Sequence, residues 1–275
     1  MKLLNIGCGS TFHPSWTNID LVSSSPYVQN YDIRQGLPYA DASFEACYSS
    51  HLLEHLTPHQ AKKLLIDALR VLKPRGMIRV VVPDLEAIVR TYLTALEEAD
   101  SGVSEAQPKY DWMMLELYDQ ATRQCSGGEM ARYFSKRCAK ARAFVVLRIG
   151  CEAHHLWSKE KRDQGSIWAK VKLRNVPKFV RRCRLAAAKR AVALLVGSEA
   201  RAAFEEGLFR HGGEVHRWMY DRFSLRRLLE ESGFAEVRIC RADESRIPDF
   251  NRYNLDVVKG QVRKPDSLFM EGTKP

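Results

Sequence analysis

Three ionisable side chains crowd into one short stretch: His51, Glu54 and His55 of "HLLEHL". Two imidazoles four residues apart, with a carboxylate between them, follow the H-x-x-E-H order of an inverted zinc-peptidase motif. That chemistry needs both imidazoles on one helix facing an open cavity, and a third ligand downstream. Thr57 and Pro58 follow at once, an N-cap and a first-turn proline, and Gln60 completes a capping box. The regular helix therefore starts after His55, and the sequence assigns no metal. What remains for His51 is proton transfer, since an imidazole titrates near neutrality and suits removal of a hydroxyl proton. Whether His51 is that general base or a wall residue stays open. His216 and His211 are further candidates for the base, and His55 reads as a structural residue pointing into the domain body.

A second constellation lies upstream. "NIGCGS" sets Gly7 and Gly9 one residue apart after a short apolar run, and Asp20 ends the next one. Paired glycines let a backbone turn tightly and approach a ligand with no side chain between, and an acidic residue at that place accepts from ribose hydroxyls. An ordinary tight turn, or an aspartate capping its own loop, would look the same. The third glycine of a dinucleotide fingerprint is missing, and Gly9 and Asp20 are too close to enclose a helix. No helix N-terminus is left to hold a pyrophosphate. The pattern favours a nucleoside cofactor without phosphates.

These residues must be held by elements that the patterning also predicts. "KLLNIG" (2–7), "WTNIDL" (16–21), "FEACYSS" (44–50) and "MIRVVVPD" (77–84) read as buried strands. Leu64, Leu65, Ala68, Leu69 and Leu72 repeat at helical spacing between the last two, and Pro74 and Gly76 stop that helix. Strand, helix and strand in succession imply a parallel sheet with right-handed crossovers. From about 85 to 212 helix and loop dominate. A helix capped by Ser224 and closed by Gly233, a strand at 236–241 and a final strand near 267–273 then return. The reading is one α/β domain, 1–84 plus 213–275, interrupted by a helical insertion, 85–212.

Taken in order, "NIGCG", "NIDL", "NYDIRQGLPYADASFEACYSSHLLEHL", "LKPRGMIRVVVPD" and "HRWMYDRFSLRRLLEESGF" resemble the class I S-adenosylmethionine (SAM) methyltransferases. The resemblance implies a Rossmann-like, seven-stranded, mostly parallel sheet with an abbreviated first helix. It places Asn5, Gly7, Cys8 and Gly9 under the methionine part of SAM, Asp20 on the ribose, Asp32 and the Ile33 backbone at the adenine, and His51 on the wall. The family usually has Asp or Glu where Asn5 stands, so a carboxylate near the cofactor's ammonium is gone. The tail "VRKPDSLFMEGTKP" resembles a branch associated with polysaccharide and other glycoconjugate pathways. The implied activity is O-methylation of a sugar-containing, lipid-linked or other small acceptor. A methyltransferase-fold protein without transferase activity, serving as a binding or scaffold partner, is the alternative.

Composition sets the partners. In 275 residues the net charge is +10, but Arg132 to Arg190 holds 18 Lys/Arg against 3 Asp/Glu, and the rest of the chain is net acidic. A basic amphipathic stretch, "KFVRRCRLAAAKRAVALLV" (178–196), puts Phe179, Val180, Cys183, Ala187, Ala191 and Leu194 on one face, expected to pack on the domain. The whole basic segment, 130–200, fits an anionic membrane surface or a phosphorylated lipid substrate. RNA is the rival acidic partner through Tyr133, Phe134, Trp157 and Trp168. "YSSHLL" replaces the motif of exocyclic-amine methylation, so nucleic acid is the weaker expectation. Seven scattered cysteines without a C-x-x-C, no signal-like apolar start and no long apolar run predict a cytosolic protein, peripheral at the inner membrane face.

Overall fold

The computed structural model describes residues 1–23, 25–136, 141–150, 153 and 176–275. The strands are β1 (Leu3–Ile6), β2 (Thr17–Asp20), β3 (Val28–Asn30), β4 (Phe44–Ser50), β5 (Leu72–Pro83), β6 (Ala235–Cys240), β7 (Val257–Val258), β8 (Gln261–Val262) and β9 (Ser267–Thr273). Seven of them form one sheet in the order β3-β2-β1-β4-β5-β9-β6, while β7 and β8 make a separate hairpin. Pairings from β3 through β5 are parallel, and β9 runs antiparallel to both β5 and β6. This is the expected Rossmann-like methyltransferase sheet. No helix stands between β1 and β2, so the short first connection is a loop.

The helices are α1 (Pro58–Val71), α2 (Leu85–Asp100), α3 (Ala106–Thr122), α4 (Gly128–Lys136), α5 (Arg142–Ile149), α6 (Val176–Val196), α7 (Ser198–Arg210) and α8 (Arg222–Glu231). α1 begins as its sequence dictates: the Thr57 hydroxyl accepts from the Gln60 amide, and the Gln60 side chain returns to the Thr57 amide. α8 differs from expectation. Asp221 is its N-cap and Ser224 the reciprocal partner at the third position, because the carboxylate reaches two orphan amides, those of Phe223 and Ser224.

Alternation along the central strands gives the sheet two different faces. Ile78, Val80 and Val82 of β5, with Leu268 and Met270 of β9, pack under α1 and α8. Val81 and Phe269 face the other side with Tyr48 and Leu3, covered by Trp16, Leu255 and the 3₁₀ turn Phe250–Tyr253 rather than by α-helices. A third core lies among α2 to α5, around Trp112, Met113, Val145 and Ile149. Tyr133 and Phe134 belong to this core and are buried, so they are not free to stack on bases. Trp157 and Trp168 lie outside the described residues.

On the second face Arg79 is fully buried, its guanidinium between the rings of Phe250 and Phe269. It donates to Asp256 at 2.7 Å and Glu271 at 3.0 Å, and to the carbonyls of Arg241, Ala242 and Glu244. One strand residue thus staples the 241–256 loop to the sheet.

The expected packing of α6 is reversed. Cys183, Ala187, Ala191 and Leu194 are exposed, and Leu194 and Leu195 are 87% and 84% accessible. Ala188, Lys189, Val192 and Ala193 are the half-buried side, with the Lys189 ammonium 3.4 Å from Glu205 of α7. The short side chains of Ala188, Val192 and Ala193 allow a closer approach of two helices, so they take the contact and leave the leucines in solvent. The side chains of Phe179, Val180, Arg181 and Arg182 lie outside the described residues, as do His154 and His155.

Candidate active site

The carboxyl ends of β1, β2 and β4 meet at one edge of the sheet, and three adjoining cavities open there. The largest, about 400 Å³, is lined by Gly7, Gly9, Asp20, Asp32, Ile33 and His51, among others. A smaller one, about 180 Å³, is lined by Asn5, Cys8, Tyr48, Asp256, Arg263 and Lys264, and shares Gly7, Gly9 and His51 with the first. The third, about 340 Å³, lies toward α3, α4 and α5, and its lining includes His51, His55, Arg123, Met130, Phe134 and His216. His51 is common to all three.

The glycine loop is built as its spacing implies. Gly7 and Gly9 both take positive φ, +66° and +52°. A Cβ on Gly7 would lie 2.6 Å from the Leu52 side chain, whereas one on Gly9 would meet nothing within 4 Å. The first glycine is demanded by packing and the second by backbone angle, beside open space. Asp20 clamps this loop, accepting from the Gly9 amide at 2.8 Å and the Val22 amide at 2.9 Å. Each carboxylate oxygen keeps a further lone pair for a hydroxyl of a ligand. Asp32 caps the turn Ile33–Gln35 and holds the Arg34 guanidinium through both oxygens, at 2.8 and 2.7 Å. The side-chain hydrogen bond from Arg34 leads in holding the Asp32 carboxyl below the usual range.

Asn5 is 1% exposed, and its amide orientation is determined by its neighbours. Asn18 must direct its NH₂ at the carbonyls of His13, Trp16 and Tyr27, so its oxygen accepts from Asn5 Nδ2, which also donates to the Thr11 carbonyl. Asn5 Oδ1 is left buried without a partner, on a residue of the 180 Å³ cavity. Cys8 is buried beside it, and burial, then the Asp20 charge, pushes its thiol up to about 12.

His51 has a positive φ of +50°, and the residues after it, Leu53–His55, form a single 3₁₀ turn. The two imidazoles of "HLLEHL" are therefore not on one α-helix, as the Thr57 cap implied. His51 Nε2 lies 2.8 Å from Ser267 Oγ of β9, and Nδ1 lies 3.2 Å from Glu54 Oε1. His55 departs from the sequence reading: it lines two cavities instead of entering the domain body. The segment before α8 returns beside it, the Arg217 and Trp218 amides donating to the Glu54 carbonyl, and this presses the His216 ring edge-on against His55 at 4.9 Å. His216 is buried, and burial pushes its imidazole down to about 3, so it is neutral at pH 7. His211 lines the 400 Å³ cavity, with Nδ1 3.4 Å from Arg217.

Sequence reasoning missed Arg263, Lys264, Asp256 and Tyr48. Arg263 donates to Thr11 Oγ1 at 2.7 Å, and Tyr48 donates to Asp256 at 2.6 Å. "VRKPDS" enters the sequence reading only through a resemblance; its two adjacent cations were the available signal that an anionic group is met there.

Residues 4–80 match the family described as a methyltransferase domain. The fold is that of the class I methyltransferases, for which the cofactor is SAM. Among solved structures, a SAM-dependent methyltransferase from Archaeoglobus fulgidus is 11% identical, with 99% of this chain and 86% of that one covered and a TM-score of 0.39. One from Thermotoga maritima, titled a possible histamine N-methyltransferase, is 10% identical over 100% and 82%, with a TM-score of 0.38. The YcgJ protein of Bacillus subtilis is 18% identical over 35% of this chain and about half of its own length, 51%, with a TM-score of 0.26. Scores this low carry no weight for substrate or mechanism. No curated protein matches the chain.

The residues present fit SAM. Asp20 offers oxygens to a ribose, and Asn5 Oδ1 is an unused buried acceptor suited to the cofactor's ammonium. The cations Arg263 and Lys264 in the same cavity suit its carboxylate. When bound, the sulfonium would supply an activated methyl group. The protein's own contribution would be to hold and orient it.

Proposed function

We propose that this chain transfers a methyl group from SAM to an oxygen of a sugar-containing or lipid-linked small acceptor. The observation that carries this reading is the position of His51, whose imidazole borders the cofactor-sized cavity and the separate 340 Å³ cavity of α3 to α5. An acceptor hydroxyl in the second cavity has the His51 imidazole within reach as its base. Such a base contributes about 10²–10⁴-fold to a transfer that is otherwise governed by alignment. The glycoconjugate class of the acceptor rests on the resemblance of the tail, and the basic surface suits an acceptor bearing phosphate.

Calorimetry with SAM tests the first half of this reading. Wild-type protein is expected to bind one SAM, and Asp20→Ala to weaken it by about 100-fold, through two lost charge-assisted hydrogen bonds. No binding by a folded wild type would leave the scaffold alternative standing.

A further inference from the structure

The buried group around Glu54 has a composition that proton transfer does not explain. Glu54 is 0% exposed, and neither carboxylate oxygen has a hydrogen-bond partner. The approach of His51 Nδ1 at 3.2 Å is an ion-pair distance and not a hydrogen bond. A carboxylate removed from water without hydrogen bonds is strongly unfavourable unless a cation stands in for the solvent. His55 and His216 bring one imidazole nitrogen each to this carboxylate, and the three ligand atoms all lie within 4.8 Å of one another. The His55 ring is oriented for ligation: Nδ1 donates to the Val215 carbonyl at 3.3 Å, which leaves Nε2 with its lone pair.

We infer that Glu54, His55 and His216 form a binding site for a first-row divalent cation. Two imidazoles and one carboxylate are the donors of an open zinc site, and they suit Zn²⁺ before the oxygen-preferring Mg²⁺. Metal–ligand bonds of about 2.0–2.2 Å place tetrahedral ligands roughly 3.5 Å apart. The present spacing, within 4.8 Å, exceeds that by at most about 1.3 Å. A fourth position would open toward the 340 Å³ cavity, which His55 and His216 both line. The ligands are not those of the H-x-x-E-H zinc pattern. His51 engages Ser267 through Nε2 and only its Nδ1 faces Glu54, at 3.2 Å, whereas the second imidazole of this group is His216, 161 residues after His55 in sequence.

The test needs neither SAM nor acceptor, so it is independent of the transfer reaction. Protein stripped with a chelator and dialysed is titrated with Co²⁺ alone and followed by visible absorption. The expected result is a single equivalent with d–d bands of a low-coordinate site, displaced by Zn²⁺ and not by Mg²⁺. His216→Ala and Glu54→Gln should each weaken Co²⁺ by about 100-fold or more, while His59→Ala, on the exposed face of α1, leaves it unchanged. Circular dichroism and thermal melting establish that the variants fold. Should His216→Ala fail to fold, His55→Gln replaces it. A folded wild type that takes up no Co²⁺ or Zn²⁺ overturns the inference, and so does binding that survives unchanged in folded ligand variants.

Discussion

At the scale of single residues, the site is decided by which polar atoms are left without partners. Asn5 stands where the resembled family usually has a carboxylate, and the amide orientation fixed through Asn18 leaves its Oδ1 buried and without a partner. The loss of a negative charge therefore does not remove the acceptor. Asn5→Leu is expected to weaken SAM by about 10-fold, and Asn5→Asp to bind at least as tightly as wild type, both read by calorimetry. His51 belongs to the same scale. His51→Ala should keep its SAM affinity and lose about 10²–10⁴-fold in turnover, measured as release of demethylated cofactor over a panel of hydroxyl acceptors. An unchanged rate would reduce His51 to a wall.

At the scale of elements, the sheet positions the glycine loop, and Arg79 positions what covers the sheet's second face. Its guanidinium links β5 to Glu271 on β9 and to Asp256, the cavity residue, in the 241–256 loop. Burial alone would raise the Glu271 carboxyl, but the Ser245 hydroxyl, the Arg246 amide and the Arg79 charge outweigh it and hold it below the usual range. A depressed carboxylate contributes stability that is complete above its unfolded pKa and is lost as the pH falls through its folded value. Glu271→Gln should cost about 3–5 kcal/mol at pH 7, by leaving Arg79 imperfectly paired. Chemical denaturation followed from pH 7 downward should also show a shallower acid loss than wild type. The same arrangement helps the 241–256 segment cover this face without an α-helix: three of its backbone carbonyls are satisfied by one buried side chain.

At the scale of the whole molecule, the sequence concentrates positive charge between Arg132 and Arg190, and the described part of α6 exposes apolar side chains. α6 turns Leu194 and Leu195 outward beside its basic residues, and among the described residues no helix is long and apolar enough to cross a membrane. We propose that this surface meets an anionic bilayer. Co-sedimentation with anionic liposomes should retain the wild type and release a protein lacking 130–200. Retention should fall as salt is raised, because screening weakens the surface attraction. Equal sedimentation of both proteins would remove the proposal.

Much of this was legible in the sequence, because it depends on local chemistry. The strands at 44–50 and 267–273, the Thr57 capping box, the missing first helix and the glycine loop follow from periodicity, caps and backbone freedom over a few residues. The meeting of Gly7, Gly9, Asp20, Asp32, Ile33 and His51 in one cavity was implied by the family resemblance, and it is consistent with strand ends of a parallel sheet converging at one edge. The three-residue β3 was not legible, being too short to show a period. Only the tertiary structure could bring His216 against His55, set Arg263 beside Thr11 and leave Glu54 buried without a hydrogen bond. Each of these joins residues more than 150 positions apart or depends on exclusion of water, and neither has a signature in the local pattern. "HLLEHL" by itself spelled out three ionisable side chains; the chain's return at residue 216 decided which imidazole lies against His55.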